Sequence, residues 1–494
     1  MHKSPRKGDL AQSGSAWRKL PALLVLILLA LGAAGGRPAA AESEQSPLSR
    51  SLEAALRVPA LSGARIGALV VRASDGATLW AHKPDAPLIP ASNVKLLTSL
   101  AVLELLGPAH QFETRIRADR LPDPAGAIGD LVLQGGGDPA LTSEDWWRIA
   151  AELRSSGLRK IQGDILVDDS AFDDGFWHPS WGAVSSRAYH APVGALSANY
   201  GAFFVRVSPA LQPGQPPSVT VDPPVDYLKV ANRSKTTGPE GAHSLRVARG
   251  PSSATQEEII VSGGFRLDEA PDLFARSVSD PALYAGSLLR LQLEGLGIDV
   301  VGRVRRGDSE NGPVLLDFKG QPLSEIVKLT LKYSNNAMAE TLVKVAGMEG
   351  AGRPGSWERG LPVLRKRLLD AGILGEEAVL ADGSGLSTDN RLSARMLVRT
   401  LERARSSFHV GPEMLAALPI SARDGTLEDR LDSGRDQIRA KTGLLSDSRV
   451  IALSGVIESD SGEERIFSIL VNGYQGTTVA AMQAVDAWVA SLSR

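Results

Sequence analysis

The chain has 494 residues, 54 Lys/Arg against 56 Asp/Glu, 43% hydrophobic residues and no cysteine. Length and composition suit a globular protein of roughly two to four domains, and the missing cysteine excludes disulfides, thiolate metal sites and a lipid-anchored N-terminal cysteine. The near-neutral charge, with no basic stripe laced with aromatics, gives no footing for nucleic-acid binding.

The first nineteen residues carry Lys3, Arg6, Lys7, Arg18 and Lys19. An apolar core follows from Leu20 to Ala34, and Arg37-Pro38-Ala39-Ala40-Ala41 offers small residues for cleavage near Ala41. This pattern predicts a secretory signal peptide over residues 1–41. An uncleaved anchor is the alternative, although the apolar core falls short of the roughly 20 residues of a membrane span. Without residues 1–41, which hold six basic residues and one acidic, the mature chain is acidic, 48 against 55. The expected location is exported, periplasmic or cell-envelope; peripheral membrane association and oligomeric state stay open.

Residues 48–58 read as a short amphipathic helix. Ala64–Arg72 and Thr78–His82 read as strands around the turn Ser74-Asp75-Gly76. Val94 to Leu106 is apolar on nearly every side and is closed by Gly107-Pro108, so a buried helix is expected. Lys95 sits in its first turn, and a lysine is rarely buried without a partner or a job. Ser92 lies three residues earlier on the same face. A hydroxyl and an amine held together at the N-terminus of a buried helix can form a serine nucleophile activated without histidine. Against this, Ser-x-x-Lys recurs at Ser4-Pro5-Arg6-Lys7, and Ser92 also suits a plain N-cap.

From Gln111 the texture changes to short strands (112–118, 130–134 and 163–168) between Gly/Pro/Asp loops, with a helix over 146–155. Residues 212–264 are polar and rich in Pro, Gly and Ser, with strand-like fragments, and read as a small β subdomain or a flexible insertion. A helix over 281–296 ends at Gly297. The texture reverts near residue 320: a long helix over 322–345 breaks at Tyr333-Ser334-Asn335-Asn336, helices follow over 357–369 and 393–403, then three strands (437–445, 449–457 and 465–472) and a terminal helix over 479–492. One α/β (α+β) domain whose ends meet is expected, 42–111 with 306–494, built on an antiparallel sheet of about five strands flanked by helices. Residues 112–305 would be inserted into it, with a nested subdomain at about 212–264.

Two further motifs join Ser92 and Lys95: Ser334-Asn335-Asn336 at the helix break, and Lys441-Thr442-Gly443 opening a strand. In this order and setting they resemble the active-site set of penicillin-binding proteins and serine β-lactamases. The spacing, 242 residues from Ser92 to Ser334 and 107 from Ser334 to Lys441, resembles the low-molecular-mass class C penicillin-binding proteins. These are D-alanyl-D-alanine carboxypeptidases/endopeptidases of the penicillin-binding-protein-4 type, in which two domains are inserted one within the other between the first two motifs. Further echoes are Gly135-Gly136-Gly137-Asp138-Pro139, Ala191-Pro192-Val193-Gly194-Ala195-Leu196-Ser197, Asp382-Gly383-Ser384-Gly385-Leu386-Ser387 and Asp424-Gly425-Thr426-Leu427.

The resemblance implies a β-lactamase/DD-peptidase-like fold, peptidoglycan stem peptides as substrates, β-lactams as inhibitors, and no metal or cofactor. It implies Ser92 as nucleophile, Lys95 as proton acceptor, Ser334 as proton relay to the leaving amine and Asn336 as a holder of the peptide backbone. It further implies that Lys441 and Thr442 bind the terminal carboxylate of the substrate, that Gly443 belongs to the same substrate-binding strand, and that the N–H groups of Ser92 and Leu444 form the oxyanion hole. One departure is Leu444 itself, where the family usually has Ser or Thr; a hydroxyl contact is lost while the backbone N–H is kept. A serine β-lactamase and a non-catalytic wall-binding protein on the same fold are the alternatives. The G-x-G-x-x-G match at 350–355 follows a helix rather than a strand and reads as a loop. The histidines show no metal-ligand spacing, and His190 reads as structural.

Overall fold

The computed structural model describes residues 46–308 and 312–494. The expected signal peptide lies outside the described residues. Among these, no helix is long and apolar enough to cross a membrane.

Strands Arg65–Arg72 and Thr78–His82 form a hairpin closed by Gly76 at φ +71°, whose N–H donates to the Arg72 carbonyl. The Asp75 side chain accepts from the Ala77 N–H and holds the turn. Three C-terminal strands, Ile438–Leu445, Val450–Glu458 and Glu464–Asn472, join this hairpin in one antiparallel sheet. The two ends of the chain meet along Arg65↔Asn472 through Arg72↔Arg465. Strand Arg65–Arg72 is buried on both faces because both faces are covered. Helices Pro47–Leu56 and Thr478–Ala490 pack on one side, where Leu52, Trp80, Phe467 and Trp488 form a core. The larger core, on the other side, is built from helices Val94–Leu106, Leu323–Lys332, Asn336–Ala351, Trp357–Asp370 and Ala394–Ser406.

Every residue of Val94–Leu103 is buried. Leu96, Leu97, Leu100 and Leu103 are 0% exposed, and at roughly 1.5–3 kcal/mol for each buried apolar side chain they anchor the helix that carries Lys95. Gly107 at φ +82° ends it, its N–H donating to the Leu103 carbonyl.

The segment between the first two motifs builds separate sheets. One has five strands in the order 304–306, 165–168, 131–134, 111–118 and 314–322, parallel on one side of 131–134 and antiparallel on the other. Helix Ser143–Ser155 starts at a capping box between Thr142 and Asp145, three residues before the expected start at Trp146. Two three-stranded sheets follow, one from 228–237, 246–252 and 257–266, the other from 202–208, 218–222 and 272–277. The sequence put the return to the first domain at 306, yet strand Val314–Pro322 pairs with Gln111–Ala118 and carries the inserted sheet to Pro322. The small sheets likewise reach from 202 to 277, beyond 212–264 on both sides. The polar composition marks only the middle of the unit, whereas strand Ala202–Ser208 alternates buried and exposed residues and reads locally like any half-buried strand.

Asp138, in the Gly-Gly-Gly-Asp-Pro loop, is buried at 2% exposure, with Oδ1 accepting from the Ala140 N–H and Oδ2 unpaired. Burial pushes its carboxyl from 3.8 up to about 7. A raised carboxyl favours the folded state at low pH, and that contribution is lost as pH rises from about 4 to about 7, at most about 4 kcal/mol over the span. Thermal unfolding of Asp138→Asn should therefore show a flatter stability profile between pH 5 and 8 than the wild type. Parallel profiles would contradict the raised carboxyl.

Candidate active site

Three segments bring the predicted residues together. Ser92 lies in a 3-10 turn, Ala91–Asn93, that leads directly into the buried helix. Ala91 at φ +47° and Ser334 at φ +56° are both left-handed without being glycine. Such strained positions persist where surrounding structure over-determines them, and they cluster at functional sites. Ser334 falls between helices Leu323–Lys332 and Asn336–Ala351, and Asn335 caps the second by accepting from the Met338 N–H. Lys441 lies on edge strand Ile438–Leu445 with its side chain turned inward. Gly443 lets this strand approach the nucleophile turn; a Cβ there would stand 2.9 Å from Asn93 Nδ2 and 3.1 Å from Ala91 Cβ.

The Ser92 Oγ makes no capping bond; it lies 3.0 Å from Lys95 Nζ. That nitrogen also donates to Asn336 Oδ1 at 2.7 Å and to the Ser384 carbonyl at 2.7 Å. Lys95 is 0% exposed. Burial pulls its pKa from 10.5 down to about 7, against the opposing pull of the Asp382 and Glu340 carboxylates. Lys441 Nζ donates to Ser334 Oγ at 2.8 Å and to the Thr442 carbonyl at 2.7 Å. Burial first, then the positive charges of Lys95 and Arg430, holds Lys441 well below the usual lysine range.

Ser92, Ser334, Thr442, Gly443 and Leu444 line one cleft of about 280 Å³. Lys95 and Lys441 lie beneath its walls, reaching it through Ser92 and Ser334. Leu444 is 43% exposed and gives the rim an apolar side chain. Asn336 Oδ1 accepts from Lys95, while its Nδ2 donates to the Tyr189 carbonyl at 3.0 Å, which leaves a second N–H and a second lone pair on the amide.

Sequence reasoning missed several members of the site. Thr426, whose Oγ1 meets Thr442 Oγ1 at 2.8 Å, and Arg430, bidentate to Asp486, both line the cleft. Thr426 stood in the Asp-Gly-Thr-Leu motif without a role. The Ser384 carbonyl belongs to the Asp382–Ser387 loop, whose residue types carry no mark of the contact with Lys95. The loop crosses the nucleophile so closely that a Cβ on Gly385, at φ +81°, would fall 1.9 Å from the Ala91 carbonyl oxygen and 3.0 Å from the Ser92 nitrogen. Glu340 lies four residues after Asn336 on one helix face, and that spacing was the available signal for it.

The chain is similar to known proteins. A D-alanyl-D-alanine carboxypeptidase from Actinomadura sp. (strain R39) is 36% identical over 487 residues, covering 94% of this chain and 89% of the relative. The D-alanyl-D-alanine carboxypeptidase DacB of Haemophilus influenzae is 26% identical over 432 residues, with 83% and 86% covered. The crystal structure of penicillin binding protein 4 (dacB) from Haemophilus influenzae superposes with a TM-score of 0.77 at 23% identity, covering 90% of this chain and 99% of that one, which shows the common fold. The sequence matches the D-Ala-D-Ala carboxypeptidase 3 (S13) family over residues 48–492, a span that takes in all three motifs and the sheets between them. On this match and these identities, the chain belongs to the D-Ala-D-Ala carboxypeptidase 3 (S13) family.

Proposed function

We propose that the chain carries out its family's reaction, hydrolysis of a D-Ala-D-Ala bond in peptidoglycan stem peptides, through an acyl-enzyme on Ser92. The observation that carries this reading is the environment of Lys95 Nζ. A neutral amine has two N–H donors and one lone pair. The Asn336 Oδ1 and the Ser384 carbonyl can only accept, so they take the two hydrogens. The lone pair is left for the third neighbour, the Ser92 hydroxyl. Burial makes that neutral form available near pH 7.

Ser92 Oγ then attacks the peptide carbonyl as its proton passes to Lys95. The backbone N–H groups of Ser92 and Leu444 receive the oxyanion, an interaction worth roughly 3–4 kcal/mol per donor in a dry site. Ser334, held by Lys441, relays a proton to the leaving amine, and water later hydrolyses the ester. Thr442 meets the substrate carboxylate. Lys441 holds Ser334 and the Thr442 carbonyl, and Arg430, paired with Asp486, lines the cleft beside them. Asn336 acts first on the amine, which it orients, and Gly443 gives the strand room to lie against the nucleophile turn. A cell-envelope setting accords with the family, and the N-terminal pattern of residues 1–41 supports export. β-Lactams acylate the same serine in this reading.

Incubation with a labelled penicillin and mapping of the adduct tests it. A long-lived adduct on Ser92, absent in Ser92→Ala, is expected; no adduct on the wild type would sink the reading, and rapid turnover of the label would make the chain a β-lactamase instead. Release of D-alanine from a pentapeptide, compared with cleavage of cross-linked dimers, measures the carboxypeptidase and endopeptidase shares.

A further inference from the structure

The carbonyl that fixes Lys95 belongs to a loop, and a loop carbonyl aims only as well as its peptide plane is held. The Ser384 peptide is held by a carboxylate. Glu340, 0% exposed, takes the Ser384 N–H at 2.7 Å on Oε1 and the Gly383 N–H at 3.1 Å on either oxygen, while Oε2 accepts from Trp357 Nε1 at 2.8 Å. The Gly383 carbonyl is occupied in turn by Thr98 Oγ1 at 2.8 Å, one turn along the helix from Lys95. A second buried carboxylate, Asp382, closes the loop from within by accepting from the N–H groups of Gly385 and Ser387 and from Asn390. Glu340 itself projects from the helix that begins at Asn336, the other acceptor of Lys95. One helix therefore sets both acceptors of the amine, Asn336 directly and Ser384 through Glu340.

We propose that Glu340 is a positioning residue for acylation: its buried carboxylate fixes the Gly383–Ser384 backbone, and through the Ser384 carbonyl it orients the Lys95 amine and biases its charge. This rests on Lys95 being the proton acceptor. The charged groups around the pair are Asp382 in the loop, Lys441 on the facing strand, Lys344 one turn further along the helix, Asp173 against Lys344, and His178 near Asp382. Burial, then Asp382, pushes the Glu340 carboxyl up to about 7, while its three N–H donors favour the ionised form. Its negative charge favours the ammonium form of Lys95.

Labelled-penicillin acylation, followed from pH 5 to 9, tests this. Glu340→Gln alone would set an amide N–H against the Trp357 N–H, so the informative variant is Glu340→Gln/Trp357→Phe, with Trp357→Phe as its reference. The glutamine oxygen keeps the Ser384 peptide in place and removes the charge. The acid limb of the acylation rate is expected to move down by a few tenths of a pH unit, since Glu340 is already partly protonated there in the wild type, with the plateau within a few-fold. Glu340→Ala, which releases the loop, is expected to lower the plateau by about tenfold or more at unchanged substrate access. A purely structural Glu340 would leave the acid limb of the folded double variant where it is, and that result overturns the proposal. Failure of the underlying reading looks different: the wild type itself would form no Ser92 adduct.

Discussion

Lys95→Arg is expected to fold and to acylate with penicillin about 10³-fold more slowly than the wild type, within the range for loss of a general base. Arginine keeps the positive charge and its hydrogen-bond donors, and it would satisfy Asn336 Oδ1 and the Ser384 carbonyl. It does not readily lose a proton, so no lone pair would face the Ser92 hydroxyl. Lys95→Met covers the case in which a guanidinium is too large for a fully buried position, and it should acylate as poorly. Stability provides a second readout. A lysine whose folded pKa is depressed from 10.5 to about 7 costs stability in full below about pH 7, and the cost is relieved as pH rises towards 10.5. The stability of Lys95→Met relative to wild type should therefore be greatest at pH 6 and decline by pH 9, in thermal melts at both values. The two acceptors left without Lys95 offset part of the gain. Normal acylation by Lys95→Arg would remove Lys95 from the role of base.

The motifs were legible because each is local. Ser92 and Lys95 lie three residues apart, Ser334 marks a helix break, and Lys441-Thr442-Gly443 lies in a short apolar run that forms strand Ile438–Leu445. The fold class was legible for the same reason: the hairpin around Gly76 and the three C-terminal strands each carry their own turn and burial pattern. What escaped was decided by distant pairing. Strand Val314–Pro322 looks like the start of the returning domain, and only its register with Gln111–Ala118, about two hundred residues earlier, assigns it to the inserted sheet. Glu340 takes its place from the N–H groups of a loop 43 residues later, a pairing that residue type does not mark. The carbonyls of Tyr189 and Ser384 are backbone atoms and leave no mark in residue type. Asn336 is set by one of these, the Tyr189 carbonyl, and by Lys95, which in turn donates to the other, the Ser384 carbonyl.

Edge strands commonly carry lysines against aggregation, and Lys441 fits that description by position alone. Its environment argues otherwise. It is 0% exposed, has no carboxylate among the described residues within its hydrogen-bonding shell, and divides its contacts between Ser334 Oγ and the Thr442 carbonyl. A buried amine without an anionic partner lowers stability. Lys441→Met, similar in length and apolar, is expected to reduce acylation by about 10²-fold, because Ser334 loses the partner that orients its hydroxyl. The same variant is expected to be as stable as the wild type at pH 7 or more so, since it removes a desolvated amine from the interior. The sign follows from the depressed lysine: the cost is largest at low pH and fades towards the ordinary lysine pKa, so the advantage of Lys441→Met should shrink as pH rises from 6 to 9. Stopped-flow acylation and thermal melts on one preparation measure both. Acylation within twofold of wild type would return Lys441 to the role of an edge-strand charge and leave the relay through Ser334 without its support.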